Sequence, residues 1–168
     1  TMPAAQYCWL KANKGDERMT STTITVKQVL DKKGSVTHSV APDASVFDAL
    51  ALMAEHDIGA VLVVQDGQLR GIFTERDYAR KLVLKGLASK TAKVGEMMTT
   101  DVHTVTLADQ LGNIMSIMTR RRFRHLPVME NGQVVGIVTI GDVVKAVIED
   151  QEATIQQLSN YIAGDLTT

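Results

Sequence analysis

VAPDASVFDALALMAEHDIGAVLVVQDGQLRGIFTERDYAR, from Val40 to Arg80, aligns without a gap on VTLADQLGNIMSIMTRRRFRHLPVMENGQVVGIVTIGDVVK, from Val105 to Lys145, every position being shifted by 65. Identical pairs include Val40 with Val105, Met53 with Met118, Gly67 with Gly132, Gly71 with Gly136, Thr74 with Thr139 and Asp77 with Asp142. An internal repeat of this length governs how the whole chain is read. In each copy Val46, Ala49, Leu50 and Met53, or Leu111, Ile114, Met115 and Met118, fall at helical spacing and predict one apolar helix face. A short apolar run follows, AVLVV or LPVM, and then Asp66-Gly67 or Asn131-Gly132, dipeptides suited to a two-residue hairpin whose central positions both need positive φ. A second strand, LRGIFT or VVGIVT, leads into RDYARKLVL or GDVVKAVIE, which read as helices.

The expected unit is therefore strand, helix, strand, strand, helix, in a mixed α+β fold. Upstream, VKQVL (Val26 to Leu30) resembles VGEMM (Val94 to Met98), with about three extra residues after it in the first copy. The organisation predicted is an N-terminal extension over residues 1–25, repeats over 26–90 and 91–150, and a C-terminal amphipathic extension over 151–168. Neither repeat would bury much core alone, so the two are expected to pack on one another with approximate twofold symmetry. In the extensions, Tyr7, Trp9 and Leu10 are apolar, and Ile155, Leu158 and Ile162 fall at helical spacing, which predicts a short amphipathic helix.

With 168 residues, 45% hydrophobic and 22% charged, the composition is that of a globular protein. No apolar run approaches the roughly 18 residues of a membrane span, and the N-terminus lacks the order of a secretory signal, so the expectation is a cytoplasmic protein without membrane association. Cys8 is the only cysteine, which leaves no internal disulfide and no cysteine-based zinc site. His38, His56 and His103 show no metal-ligand spacing, and no metal is expected. No Walker loop, no GxGxxG and no nucleophile constellation is present, which argues against an enzyme. Eighteen Lys and Arg against 19 Asp and Glu do not describe a general nucleic-acid binder.

Each copy places a Thr and an Asp three apart where a strand turns into a helix, at Thr74 and Asp77 and at Thr139 and Asp142. Two readings stand. Thr-x-x-Asp is close to a capping box, in which the hydroxyl accepts from a backbone N–H and the acid reaches back; Ser45 to Asp48 and Thr106 to Asp109 share the spacing and read as caps. Alternatively, the carboxylate accepts from vicinal ribose hydroxyls and the Thr bonds a ribose or phosphate oxygen, while the helix start offers N–H groups to an anion.

The doubled Gly71, Thr74, Asp77 and Gly136, Thr139, Asp142, the two hairpins and the strand Leu126-Pro127-Val128 make the chain resemble a tandem pair of CBS domains over about Val26 to Asp150. The resemblance implies two symmetry-related clefts that bind adenosine-containing ligands such as AMP, ADP, ATP, NAD or S-adenosylmethionine, no required cofactor, a non-catalytic regulatory role, a homodimer and an effector protein that receives the signal. It assigns ribose to Thr74, Asp77, Thr139 and Asp142, and adenine to Ile58, Gly59, Ala60 and Phe123.

RRRFRHLPV, from Arg120 to Val128, departs from the near-neutral charge of the whole. The resemblance puts phosphate at Arg124 and His125, where the first copy has only Gly59 and Ala60. Guanidinium groups hold phosphate oxygens bidentately, and Arg122 and Arg76 are further candidates. Unequal clefts are expected, since Gly141 replaces Arg76 in the second copy. Arg120 and Arg121 read as a solvated helix end that offsets the dipole. The alternative is a nucleic-acid-binding or purely structural interaction protein using the Arg120–Arg124 patch, although a chain with 4% aromatic residues has few stacking platforms for single strands.

Overall fold

The computed structural model describes residues 22–165. The N-terminal Tyr7, Cys8, Trp9 and Leu10 lie outside the described residues. In chain order the elements are α1 (Val26–Lys33), β1 (Ser39–Val40), α2 (Val46–His56), β2 (Ala60–Gln65), β3 (Gln68–Thr74), α3 (Glu75–Asp77), α4 (Val94–Met97), α5 (Leu111–Arg121), β4 (His125–Glu130), β5 (Gln133–Thr139) and α6 (Ile140–Asp165). After α3 the chain stays helical through a π turn, Tyr78–Leu82, and a 3-10 turn, Val83–Lys85.

The hairpins form as the sequence predicts. Asp66 and Gly67 have φ of 52° and 72°, and Asn131 and Gly132 have 51° and 77°. Both hairpins also carry a bulge at the same repeat position, between Val63 and Val64 and between Val128 and Met129. β1 pairs parallel to β2 and β2 antiparallel to β3, while β4 and β5 form a two-stranded sheet. The second repeat thus lacks the named first strand that the sequence predicts and keeps a single bridge from Val105 to Val128. Proline explains the loss. In the first repeat Leu62 N–H donates to the His38 carbonyl at 3.0 Å; its counterpart is Pro127, which has no N–H to give.

β2 buries both faces. Val61 and Val63 enter the core of the first repeat. Ala60 and Leu62 turn the other way, with Ile72, toward Val134 and Ile137 of the second repeat. This central layer joins the two sheets.

The leading helices change sides. Val26, Val29 and Leu30 of α1 belong to the core of the second repeat, with Leu111, Ile114 and Leu126. Val94 and Met97 of α4 belong to the core of the first, with Val46, Met53 and Phe73. Backbone hydrogen bonds mark both crossings: Val26 N–H to the Asp109 carbonyl at 2.9 Å and Leu111 N–H to Ile24 at 2.8 Å, against Val94 N–H to Ala44 at 2.9 Å and Gly95 N–H to Pro42 at 2.8 Å. The repeated glycines make room for the crossings. A Cβ on Gly136 would stand 2.6 Å from Leu30 Cδ1, and one on Gly71 would stand 2.6 Å from Met98 Sδ and 2.7 Å from the Thr99 carbonyl oxygen. The two repeats therefore enclose each other reciprocally, in keeping with pseudo-twofold symmetry.

Two local expectations change. α6 is a single helix of 26 residues that runs from the second repeat through the C-terminal segment, rather than ending in a separate short helix. No Pro or turn dipeptide interrupts the segment after Ile140, and its one glycine before the end, Gly141, lies in the first turn. Thr106 and Asp109 close a turn, with Thr106 N–H donating to Asp109 Oδ2 at 2.6 Å, but α5 begins beyond them with Gln110 as its N-cap. Ser45, by contrast, caps α2 as expected, accepting from Asp48 N–H at 3.0 Å.

Candidate functional site

Both readings of Thr-x-x-Asp can be weighed against geometry. Thr74 is the N-cap of α3 and forms a reciprocal capping box with Asp77. Thr74 N–H donates to Asp77 Oδ2 at 3.0 Å, and Asp77 N–H donates to Thr74 Oγ1 at 3.1 Å. The second copy matches, with 2.8 Å and 3.2 Å between Thr139 and Asp142. The capping role is thus realised twice. The free N–H groups expected at these helix starts are largely taken, because Glu75 N–H donates to the Gly59 carbonyl and Ile140 N–H to that of Arg124.

The carboxylates then diverge. Asp77 is 7% exposed, and Oδ1 accepts from Thr99 Oγ1 at 3.1 Å and pairs with Lys81 Nζ at 2.9 Å. Lys81 also donates to the carbonyls of Met97 and Met98, so it ties the crossing segment to the helix start. Asp142 pairs instead with Lys33 at the end of α1. Each carboxylate holds a lysine, one from its own helix and one from the helix that has crossed over.

A cleft of about 590 Å³ opens between the repeats. One wall is the start of α3, with Thr74, Arg76 and Asp77, and the following turn with Arg80 and Lys81. The other is the end of α5 and the entry to β4, from Arg121 to Leu126; Gly59 and Ile72 lie between them. A direct bond crosses the cleft, Arg76 Nη1 to the Arg122 carbonyl at 3.1 Å. Arg122 can turn its carbonyl there because it leaves the helix in the left-handed region, φ 57°. Six Lys and Arg face three carboxylates around this cleft, so an anion is electrostatically favoured in it.

Eight of the predicted positions line this one cleft: Thr74, Asp77, Arg76, Gly59, Arg122, Phe123, Arg124 and His125. The other four lie elsewhere. Thr139 and Asp142 stand at the symmetry-related helix start beside Lys33. Ala60 is buried in the central layer. Ile58 packs on the first core, where its N–H donates to the Met53 carbonyl. Of these, only Ala60 belongs to β2, while Ile58 and Gly59 precede the strand, where alternation does not set which way a side chain faces.

His125 is half-buried against Gly59, whose added Cβ would lie 3.6 Å from the imidazole Cε1. Its pKa is held below the usual imidazole range, first by burial and then by the positive charges of Lys33, Arg124 and Arg76, with Asp142 opposing. Arg121, read from sequence as a solvated helix end, lines the cleft, as do Lys81, Thr99 and His103, which sequence reasoning did not select. Lys81 carries a signal that could have found it, because it lies four residues after Asp77 on a helix. Thr99 had none, because it reaches the cleft only through the crossing. The arginine run does not form one flat patch, since Arg121, Arg122 and Arg124 turn into the cleft. Among the described residues, no group of three His, Cys, Asp or Glu side chains can hold a metal ion, and no helix is long and apolar enough to cross a membrane.

The sequence matches the profile of the CBS domain twice, over residues 23–84 and 94–149. The chain belongs to the CBS domain family. The CBS domain-containing protein CBSX3 of Arabidopsis thaliana, described as mitochondrial, is 39% identical over 149 residues, which is 83% of this chain and 72% of that protein. A solved CBS-domain structure from Burkholderia ambifaria shares 45% identity with a TM-score of 0.73, covering 76% of this chain and 96% of its own. One from Agrobacterium tumefaciens shares 44% with a TM-score of 0.71, covering 73% and 98%. The first CBS match begins before α1 and the second at the first residue of α4, so each CBS repeat in sequence contributes its leading helix to the core of the other.

Proposed function

We propose that this CBS pair is a non-catalytic regulatory module that binds an adenine nucleotide, AMP, ADP, ATP or NAD, in the cleft between the α3 start and the Arg121–His125 wall. The observation that carries this reading is the meeting, across the repeats, of a Thr-Asp pair with Arg76, Arg122, Arg124 and His125. Arg124 and Arg122 take phosphate oxygens, with Arg76 and His125 beside them. Phe123 and Ile72 offer apolar surface to the base, and the ribose hydroxyls replace Thr99 and Lys81 on Asp77 Oδ1. Lys81 keeps its carbonyl partners in that exchange. The excess of cations favours ligands with more phosphates and disfavours the sulfonium of S-adenosylmethionine. At the other helix start, Thr139 and Asp142 form the weaker site, because Lys33 already neutralises Asp142 and Gly59 stands in the first repeat where the second has Arg124. The module acts as a cytoplasmic homodimer and passes ligand occupancy to an effector protein.

The test is a thermal shift on protein freed of carried-over ligand, with AMP, ADP, ATP and NAD at millimolar concentration. Binding at a hundredfold excess over Kd stabilises the fold by about 2.7 kcal/mol. Arg124→Ala removes a charge-assisted hydrogen bond and is expected to weaken binding roughly ten- to a hundredfold. No shift with any of the four ligands would overturn the reading.

A further inference from the structure

We propose that the outer part of α6 is a dimerisation segment, in which residues 144–162 of two copies of this chain wind into a parallel two-stranded coiled coil. This rests on the homodimer reading and names the surface that makes it. α6 is 26 residues long, about 39 Å at 1.5 Å per residue. Its first turns are anchored, with Val143 in the core of the second repeat and Ala146 and Val147 packed against it. From Gln151 to Gly164 every residue is exposed. Isolated helices of this length are marginal in water, so an apolar face along it calls for cover.

That face has a register. Val144, Ile148, Ile155, Leu158 and Ile162 are 49%, 50%, 62%, 59% and 61% exposed. Their spacing is a heptad repeat, with Ile148, Ile155 and Ile162 at one seam position and Val144 and Leu158 at the other, Gln151 being the polar interruption. β-branched residues at the first position with Leu at the second favour parallel two-stranded coils. The seam continues onto the body of the protein through Ile140 and Val144, which line a shallow apolar groove with Ile148.

Charge selects the occupant. ATIQQLSNYIAG, residues 153–164, contains no Asp, Glu, Lys, Arg or His, in a chain that is 22% charged. A helix that lies on an anionic membrane or a nucleic acid carries Lys or Arg beside its apolar face. Here Lys145 is the one cation between residues 144 and 162, against Glu149, Asp150 and Glu152, so the segment is net negative and repels phosphate. A second copy meets no such obstacle: in parallel register Ile155 faces Ile155, and the residues beside it, Thr154 and Ser159, are uncharged. The contact is isologous and closes at two chains.

The full chain carrying Ile155→Asp and Leu158→Asp is compared with the unaltered protein by light scattering, and a second variant, Cys8→Ser with Ile155→Cys, is oxidised. The expected results are a dimer for the unaltered protein, at least a hundredfold weaker dimer for the Asp variant with its circular dichroism retained, and a disulfide-linked dimer for the cysteine variant. A dimer that survives both Asp substitutions overturns the coil and leaves the homodimer reading in place on another surface. A monomer in the unaltered protein at all concentrations overturns both. Dissociation by the Asp substitutions without the disulfide overturns the parallel register.

Discussion

His125 shows how one side chain can read both repeats, because its imidazole stands where a side chain at Gly59 of the first would reach, while Arg124, next to it in sequence, faces the cleft. Burial, reinforced by Lys33 and Arg124, holds its pKa below the ordinary value of 6.5. A base whose folded pKa is depressed is protonated more readily in the unfolded chain, so stability is fully present above about pH 6.5 and falls as the pH drops from there toward the folded pKa. Each unit of depression is worth about 1.4 kcal/mol. The ligand-free protein is therefore expected to have a lower urea midpoint at pH 5.5 than at pH 7.5, and His125→Gln is expected to flatten part of that dependence. A phosphate placed beside the ring acts in the opposite direction, raising the pKa, so nucleotide binding near pH 6 takes up a proton. Resolved imidazole signals in an NMR titration check both, and a ligand-free His125 that titrates at or above 6.5 would refute the account. From sequence, His125 was expected at a cleft because of its position before Leu126-Pro127-Val128, and it lines one; its depressed basicity was not legible, because its burial and the nearness of Lys33, from a helix more than ninety residues earlier in the chain, are set by packing.

Elements written in local spacing were legible, and elements decided by distant partners were not. The hairpins needed only Asp66-Gly67 and Asn131-Gly132, and α2 and α5 needed only their apolar stripes. The reduction of the second repeat's first strand to one bridge turned on Pro127, which the sequence displayed and whose missing donor mattered only opposite His103. The side on which α1 and α4 pack was beyond pattern reading, since a stripe records that a face is buried and not against what. That exchange makes a measurable prediction. Leu30→Ala removes methyl groups from beside Gly136 in the second repeat and is expected to cost about 2–5 kcal/mol. Native-state hydrogen exchange then shows the loss of protection first in β4 and β5, although Leu30 belongs to the first repeat in sequence. Met97→Ala has the mirror effect on β2 and β3. Loosening confined to the nearer repeat in sequence would contradict the exchange.

At the scale of the molecule, the unit of repetition and the unit of packing differ, and fragments separate them. The repeat read from sequence, 26–90, carries α1 away from its own core and leaves behind Ala92, Val94 and Met97, which close the first core. The segment 39–99 has almost the same length but holds that core entire, with β1, α2, the hairpin, the α3 region and α4. Each fragment exposes Ala60, Leu62 and Ile72, the face that meets the second repeat, so that cost is common to both. Small units of about 60 residues are marginal even when complete. The difference between the fragments therefore isolates the crossing helix: 39–99 is expected to show helical circular dichroism and a cooperative urea transition at low temperature, and 26–90 neither. Equal behaviour of the two would mean that the repeats fold first as read in sequence and trade their leading helices only afterwards. The predicted inequality instead makes the pair one cooperative body, in which pulling on either half strips a helix from the other, and a nucleotide held between Arg124 and Thr74 would stabilise both cores together.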